Sequence, residues 1–296
     1  YGVRDADGHL DDSRLKAVAE MESVKMFELK LSQGAKPGKG GILPGSKVTS
    51  EVAQIRGIPE GRDSISPNRH REIRNTEDLI DMVNHILEVT GKPVGIKTVI
   101  GSAQVLDDLF SAIAARGAES APDFITVDSA DGGSGAAPQS LIDYMGLPIR
   151  ESLPMVVDKL AEYGLRERVR VVASGKLITP SAVAWALCVG ANFVVSARGF
   201  MFALGCIQAM QCNNNSCPSG VATHDEHLQQ GLDPIDKAER VKNYALNMVH
   251  EVGVIAHSCG VREPRELTRR HARVVNDNGV STPLSELYPE IETPSA

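Results

Sequence analysis

The chain has 296 residues, of which 42% are hydrophobic and 23% are charged, the proportions of an ordinary globular protein. Its net charge of −7 and its 4% of aromatic residues argue against nucleic acid or an anionic membrane as the main partner, because such partners require basic surfaces or stacking platforms. The most apolar stretch, residues 180–195, contains Gly190 and Asn192 and is too short to span a bilayer.

Five short apolar runs alternate with helical patterns along the chain. The predicted strands cover residues 26–31, 94–99, 124–128, 169–173 and 193–196. Helical patterns begin near residues 75, 105, 153 and 180, and a last helix is predicted over residues 236–253. Strands that are apolar on both faces and alternate with helices indicate an α/β fold with a parallel sheet and right-handed crossovers.

Polar and glycine residues cluster immediately after the predicted strands. They fall at residues 33–36, 97, 131–135, 174–176 and 196–199. The active sites of TIM-type (β/α)8 barrels are built at such strand ends, although an open doubly wound sheet remains possible on these residues alone. A barrel would lack about three of its eight strands at the amino-terminal end. Because the first residue is Tyr1 rather than Met, we expect the chain to be cut from a longer one, so an upstream membrane anchor would lie outside it.

The segment from residue 34 to residue 70 is rich in glycine and proline and has little periodicity. It is too long for an ordinary connection, and long loops of this kind are usually functional or disordered. We expect the whole chain, residues 1–296, to form one barrel domain.

Three of the five cysteines, Cys206, Cys212 and Cys217, lie within twelve residues. This clustering and the odd total indicate a reducing, cytoplasmic compartment and a metal rather than a disulfide framework. Three widely spaced thiolates suit a cluster of three irons with one ligand each. Two alternatives stay open, a Cys3His zinc site that uses His224 and three unrelated buried cysteines.

Four ordered motifs carry a resemblance to a known family. They read ELKLSQGAKPGKGGILPG at residues 28–45, SADGGSGAAP at 129–138, VVASGKL at 171–177 and CIQAMQCNNNSCPSGVAT at 206–223. Together they resemble the FMN-binding synthase domain of glutamate synthases and the shorter FMN-binding glutamate-synthase-like proteins. The resemblance implies a (β/α)8 barrel, FMN, a 3Fe-4S cluster on the three clustered cysteines, and reduction of 2-iminoglutarate, formed from 2-oxoglutarate and ammonia, to L-glutamate.

The resemblance also implies roles for particular residues. Lys97 is expected beside the flavin N1 and C2 carbonyl, where a cation stabilises the negative charge that develops on the reduced flavin. The cofactor is expected to contact Gly132 and Gly133 and to place its phosphate at Ser174, Gly175, Ala197 and Arg198. Substrate recognition is expected from Gln33, Lys36 and Arg56, because a 2-oxo acid with two carboxylates requires two cationic anchors.

The electron donor is expected to be external. The sequence contains no G-x-G-x-x-G nicotinamide fingerprint after a strand, so the donor is ferredoxin or a separate NADPH-oxidising subunit. This sequence does not include a glutaminase domain, so we expect ammonia to come from a glutaminase domain or subunit outside it. The rival hypotheses are another FMN-dependent barrel oxidoreductase, acting on a different 2-oxo acid or amino acid, and a non-catalytic electron-transfer module.

Overall fold

The fold was examined in a computed structural model, which describes residues 2–5, 7–36, 41–133 and 135–291. The strands are β1 Phe27–Lys30, β2 Ile42–Leu43, β3 Ser64–Ile65, β4 Val94–Thr98, β5 Phe124–Asp128, β6 Arg170–Ser174, β7 Phe193–Val195, β8 Arg273–Val275 and β9 Ser281–Pro283. The helices are α1 Asp12–Ala19, α2 Ser50–Arg56, α3 Thr76–Thr90, α4 Ala103–Arg116, α5 Ile149–Glu162, α6 Pro180–Val189, α7 Ala197–Ala203, α8 Glu226–Gln229, α9 Pro234–Ser258 and α10 Leu284–Leu287.

The main sheet has five parallel strands in the order β1-β4-β5-β6-β7. These are the five strands predicted from the sequence, and no strand end differs from its prediction by more than one residue. Each consecutive pair is joined by a segment containing at least one helix, so the prediction of an α/β fold with a parallel sheet is confirmed. Two short antiparallel pairs, β2–β3 and β8–β9, lie outside this sheet.

The two faces of the sheet differ in what covers them. One face carries Leu29, Ile96 and Ile125, which are buried beneath helices such as α3, α5 and α6. The other face carries the alternate residues, and there Phe193 is 53% exposed and Val195 44% exposed. Among the described residues, β1 and β7 each pair on one side only. A five-stranded sheet with one open face is compatible with part of a TIM barrel, whose interior that face would form.

Local signals explain the helix ends well. The Asn75 side chain accepts the N–H of Asp78 at 2.8 Å to begin α3, and Gly91 ends it in the left-handed conformation with φ of 62°. Helix α9 is longer than the predicted 236–253. Asp233 caps it and Pro234 occupies its first turn, a start signal that lies before the apolar pattern begins.

The long segment at residues 34–70 contains regular structure. Strands β2 and β3 pair within it, and α2 lies between them and ends at Arg56. Of the helices that the structure describes, none is at once long enough and apolar enough to cross a lipid bilayer.

Candidate active site at the strand ends

Polar side chains from three neighbouring strands meet at the carboxyl edge of the sheet. Lys97 of β4 places its Nζ 3.4 Å from Oδ2 of Asp128, the last residue of β5. Ser174, the last residue of β6, donates its hydroxyl to Oδ1 of Asp128 at 2.8 Å, and Gly34 donates its N–H to Oδ2 at 2.9 Å. Asp128 was missed by the sequence reasoning. An acid that ends an otherwise apolar buried strand was the available signal.

Lys30 is a second residue that the sequence reasoning missed. It ends β1 and lies opposite Lys97 in the strand register, so both side chains leave the same face of the sheet. Partial burial, followed by the positive charges of Lys97 and Lys36, lowers the pKa of Lys30 below its usual range. Lys97 and Lys36 are therefore close enough to Lys30 to act on its charge at this end of the sheet.

The three predicted substrate residues line one cavity. Gln33, Lys36 and Arg56 contribute to a space of about 1120 Å³ between the end of β1, helix α2 and the segment near residue 70. Further cations line the same space, namely Arg4, Arg14, Lys30, Arg69 and Arg71. A cavity with this balance of charge favours an anionic ligand.

A hydrogen-bonded network fixes one wall of this cavity. Arg4 donates to Oε1 of Glu72 at 2.8 Å and to Nδ1 of His70 at 2.8 Å. Because an arginine can only donate, Nδ1 of His70 is the acceptor, and its Nε2–H donates to the carbonyl of Lys30 at 3.1 Å. Burial lowers the pKa of His70, which agrees with a neutral ring. The network therefore holds the backbone of Lys30 at the end of β1.

The glycine loop after β5 approaches the first turn of α7. Gly132 donates its N–H to Asp143 at 2.6 Å, and Arg198 donates to the carbonyl oxygen of Gly133. That N–H, followed by the ammonium of Lys176, lowers the pKa of Asp143. Gly132 and Gly133 therefore lie next to Arg198, while Ser134 lies outside the described residues.

The predicted phosphate residues follow two adjacent, paired strands. Ser174 ends β6 and Gly175 follows it, while Ala197 and Arg198 begin α7 after β7. Ser174 pairs with Val195 in register. Gly175 has φ of 131°, and a Cβ there would lie 2.1 Å from the Cβ of Ser129. Any side chain at position 175 would clash with Ser129, so this turn requires glycine.

Helix α9 packs closely over the start of α7. The hydroxyl of Tyr244 donates to the carbonyl of Ile178 at 2.9 Å. A Cβ on Gly199 would lie 1.9 Å from that hydroxyl oxygen. The close approach places α9 behind the predicted phosphate residues and fixes α7 in position.

The three clustered cysteines follow α7 in an irregular loop. Cys206 and Cys212 are half-buried and Cys217 is buried. Burial would raise the pKa of Cys217, but hydrogen bonds from the Ser219 hydroxyl and from backbone N–H groups outweigh it and lower the pKa. Within the ranges that the structure describes, no three His, Cys, Asp or Glu side chains converge to hold a single metal ion. In an iron–sulfur cluster each thiolate binds a different iron, so the three sulfurs need not meet at a single point.

Comparison with known proteins identifies relatives over most of the chain. Residues 15–262 match the family model described as a conserved region in glutamate synthase. The chain is 42% identical to the glutamate synthase large subunit-like protein YerD of Bacillus subtilis, over 94% of this chain and 53% of that protein. It is 37% identical to an archaeal glutamate synthase [NADPH] of Methanocaldococcus jannaschii, over 84% of this chain and 48% of that protein. The chain thus spans about half the length of these relatives.

A third relative is matched over a smaller share of its own length, and two solved structures are similar in fold alone. A ferredoxin-dependent glutamate synthase of Pyropia yezoensis is 34% identical over 88% of this chain but 16% of its own length. Among solved structures, a lactate oxidase of Pediococcus acidilactici aligns with a TM-score of 0.50 at 14% identity, covering 92% of this chain and 57% of that one. A mutant flavocytochrome b2 with pyruvate bound also gives 0.50, at 15% identity, covering 96% and 54%. These two structures support the parallel α/β architecture.

Proposed function

The chain belongs to the glutamate synthase family, and from that premise we propose that it forms the synthase site of a flavin-dependent oxidoreductase. In this proposal the complete protein reduces 2-iminoglutarate, formed from 2-oxoglutarate and ammonia, to L-glutamate. The observation that carries the proposal is that Gln33, Lys36 and Arg56 line one cation-rich cavity beside the end of β1.

The substrate has two carboxylates, and the cavity offers two separated cations for them. Arg56 ends a helix and presents a planar fork that suits bidentate binding of a carboxylate. Lys36 follows the turn at Gly34, whose N–H is held by Asp128, so the base of that turn is fixed on the sheet. Gln33 adds an amide that can donate to a carboxylate or to the 2-oxo group.

The strand ends are suited to hold FMN, which supplies hydride transfer when it is bound. Gly175 lets the backbone approach closely, and Arg198 brings a positive charge to the turn beside Gly132 and Gly133. Lys97 lies at the carboxyl edge of the sheet with Asp128 as its partner. In this proposal the ammonium of Lys97 stabilises negative charge on the flavin ring. Ser174 and Ala197 line the phosphate end of the cofactor.

The cysteine loop is proposed to hold a 3Fe-4S cluster, which supplies one-electron transfer when it is bound. Cys206, Cys212 and Cys217 would provide one thiolate to each iron, and the lowered pKa of Cys217 favours the ligand form. The electrons come from outside this chain. The relatives named for NADPH and for ferredoxin support either an NADPH-oxidising subunit or ferredoxin as donor. A glutaminase domain or subunit would supply ammonia, and we propose a cytoplasmic location.

The test is the cofactor content and substrate dependence of the full-length protein. We expect a flavin spectrum, iron and sulfide in the purified protein, and glutamate formation from 2-oxoglutarate and ammonia with a chemical reductant. Iron and sulfide without flavin would favour the electron-transfer module. Flavin with turnover of a different 2-oxo acid, but none of 2-oxoglutarate, would favour the rival oxidoreductase.

A further inference from the structure

Lys47 is a buried lysine that connects two parts of the candidate site. Lys47 is only 8% exposed and lies at the end of the short helical turn Gly45–Lys47, which follows β2. Its Nζ donates to the carbonyl of Cys212 at 2.5 Å and to the carbonyl of Ala222 at 2.8 Å. One ammonium therefore holds the middle of the cysteine loop and its returning arm at the same time.

Burying an ammonium group is costly unless its donors are satisfied. Among the described residues, no acidic side chain forms an ion pair with Lys47. Its hydrogen-bond partners are backbone carbonyls of the cysteine loop. A methionine or leucine would fill similar space without the desolvation cost, so packing alone does not account for a lysine here.

The loop that Lys47 holds contains unfavourable backbone conformations. Gln208, Met210 and Asn215 have positive φ values of 56°, 57° and 60°, which side chains other than glycine rarely adopt. Such a loop persists only when surrounding contacts fix it. Gly135 packs against the backbone of Met210, where a Cβ would lie 2.1 Å from the carbonyl oxygen, and Lys47 supplies the corresponding contact at Cys212.

We propose that Lys47 is a positioning residue for the cluster, with two effects. Its hydrogen bonds keep Cys212 and the returning arm in the geometry that retains the cluster. Its positive charge, buried beside the loop, stabilises the more negatively charged reduced cluster and raises the reduction potential. The proposal rests on the proposed function, since it requires a cluster on Cys206, Cys212 and Cys217.

The position of Lys47 in the chain gives this contact a second consequence. Lys47 lies in the segment that also carries Arg56 and the other substrate residues, and α2 follows it directly. The substrate segment and the cysteine loop therefore pack as one unit through this side chain. A change at Lys47 should disturb the cluster more than it disturbs binding of FMN, whose proposed contacts come from other strand ends.

The test compares three variants of the full-length protein with the unmodified protein. Lys47→Met removes both the donors and the charge, whereas Lys47→Gln keeps an amide donor without the charge. Lys92→Met is the matched control, because Lys92 donates to the backbone carbonyl of Val24 at the opposite end of the sheet. The measurements are iron and sulfide per protein, the rate of cluster loss in the presence of a chelator, and the cluster midpoint potential followed by electron paramagnetic resonance.

We expect Lys47→Met to lose the cluster several-fold faster than the unmodified protein. We expect Lys47→Gln to retain more cluster but at a more negative potential, by about tenfold in the reduction equilibrium, or about 59 mV for a one-electron couple. Lys92→Met should change neither quantity. Unchanged retention and potential in both Lys47 variants would overturn the proposal. Absence of iron and sulfide from the unmodified protein would instead refute the proposed function, and if Lys47→Met does not fold, the potential of Lys47→Gln decides.

Discussion

The Nζ of Lys97 lies 3.4 Å from the carboxylate of Asp128, and the two residues lie near the carboxyl ends of neighbouring strands of the parallel sheet. Asp128 also accepts the hydroxyl of Ser174 and the N–H of Gly34. One carboxylate therefore fixes the lysine and the turn that leads to the substrate segment. A change at Lys97 and a change at Asp128 should have different effects, because only the second releases the turn.

Lys97→Met should lower the flavin reduction potential while leaving FMN bound. At an effective dielectric constant of about 20, two unit charges interact by about 4 kcal/mol at a separation of about 4 Å and by about 2 kcal/mol at about 8 Å, so the reduction equilibrium should shift by at least about tenfold. Reductive titration of the full-length protein with a reference dye measures it. Lys25→Met, before the start of β1, is the control. An unchanged potential would remove Lys97 from the flavin ring.

Arg56→Ala should weaken 2-oxoglutarate binding by roughly 10- to 150-fold, because a charge-assisted hydrogen bond contributes about 1.5–3 kcal/mol. Arg56→Lys should also bind more weakly, since a point charge cannot replace the planar fork. The dependence of turnover on 2-oxoglutarate, with ammonia and reductant saturating, provides the measurement. Arg62→Ala, an exposed arginine in the same segment but outside the cavity lining, should be unaffected. Equal effects at both arginines would point to general charge rather than a specific contact.

Replacing Cys206, Cys212 or Cys217 singly by serine should remove most of the iron and sulfide. Each change leaves one iron without its protein thiolate, and donor-driven reduction of the flavin should then stop. Cys188→Ser is the control, because Cys188 is buried in α6 and burial raises the pKa of its thiol to about 11. Full iron content in all three loop variants would show that these cysteines do not hold the cluster.

Arg269→Ala should destabilise the fold by roughly 3–5 kcal/mol, the usual cost of breaking a buried ion pair from one side. Arg269 is 5% exposed, donates to the carboxylate of Asp158 on α5, and also donates to the carbonyl of Tyr288 at 3.0 Å. Urea denaturation measures the loss. Arg270→Ala changes an exposed neighbour and should stay within about 0.5 kcal/mol of the unmodified protein. A loss of similar size in both variants would contradict the specific role of Arg269.

The protein should lose stability in acid as the carboxylate of Glu72 becomes protonated. Burial would raise its pKa, but hydrogen bonds from Arg4 and from the N–H of Leu10 outweigh burial and lower the pKa from 4.5 to about 2. Because the folded pKa is depressed, the stabilisation is fully present above about pH 4.5 and is lost as the pH falls towards 2. The free energy of unfolding of Glu72→Gln should therefore change less with pH across that window. Glu60→Gln, at an exposed site, should retain the pH dependence of the unmodified protein.

The five strands and their carboxyl ends could be predicted from sequence because they depend on local patterns. Apolar runs of about five residues give the strands, and the residues that follow them give the edge where Lys97 and Ser174 lie. The family resemblance also grouped Gln33, Lys36 and Arg56, which line one cavity in the structure. Whether those residues perform the roles proposed for them is for the variants above to decide.

The remaining site residues depend on contacts between distant parts of the chain. Lys30 and Asp128 look like ordinary charged residues until the strand register places them beside Lys97. Lys47 carries no local signal at all, since its partner at Cys212 lies 165 positions away. The open face of the sheet could not be predicted for the same reason, because the residue pattern within a strand does not determine which other part of the chain packs against it.

The contact between Gly199 and Tyr244 has a consequence for how related sequences can diverge. The tyrosine hydroxyl occupies the space that any side chain at position 199 would need, and that hydroxyl is held by the carbonyl of Ile178. A substitution at position 199 alone should therefore be lost by selection, while a smaller residue at position 244 would permit it. Among homologues the two positions should covary, with alanine or serine at 199 found together with a residue other than tyrosine at 244.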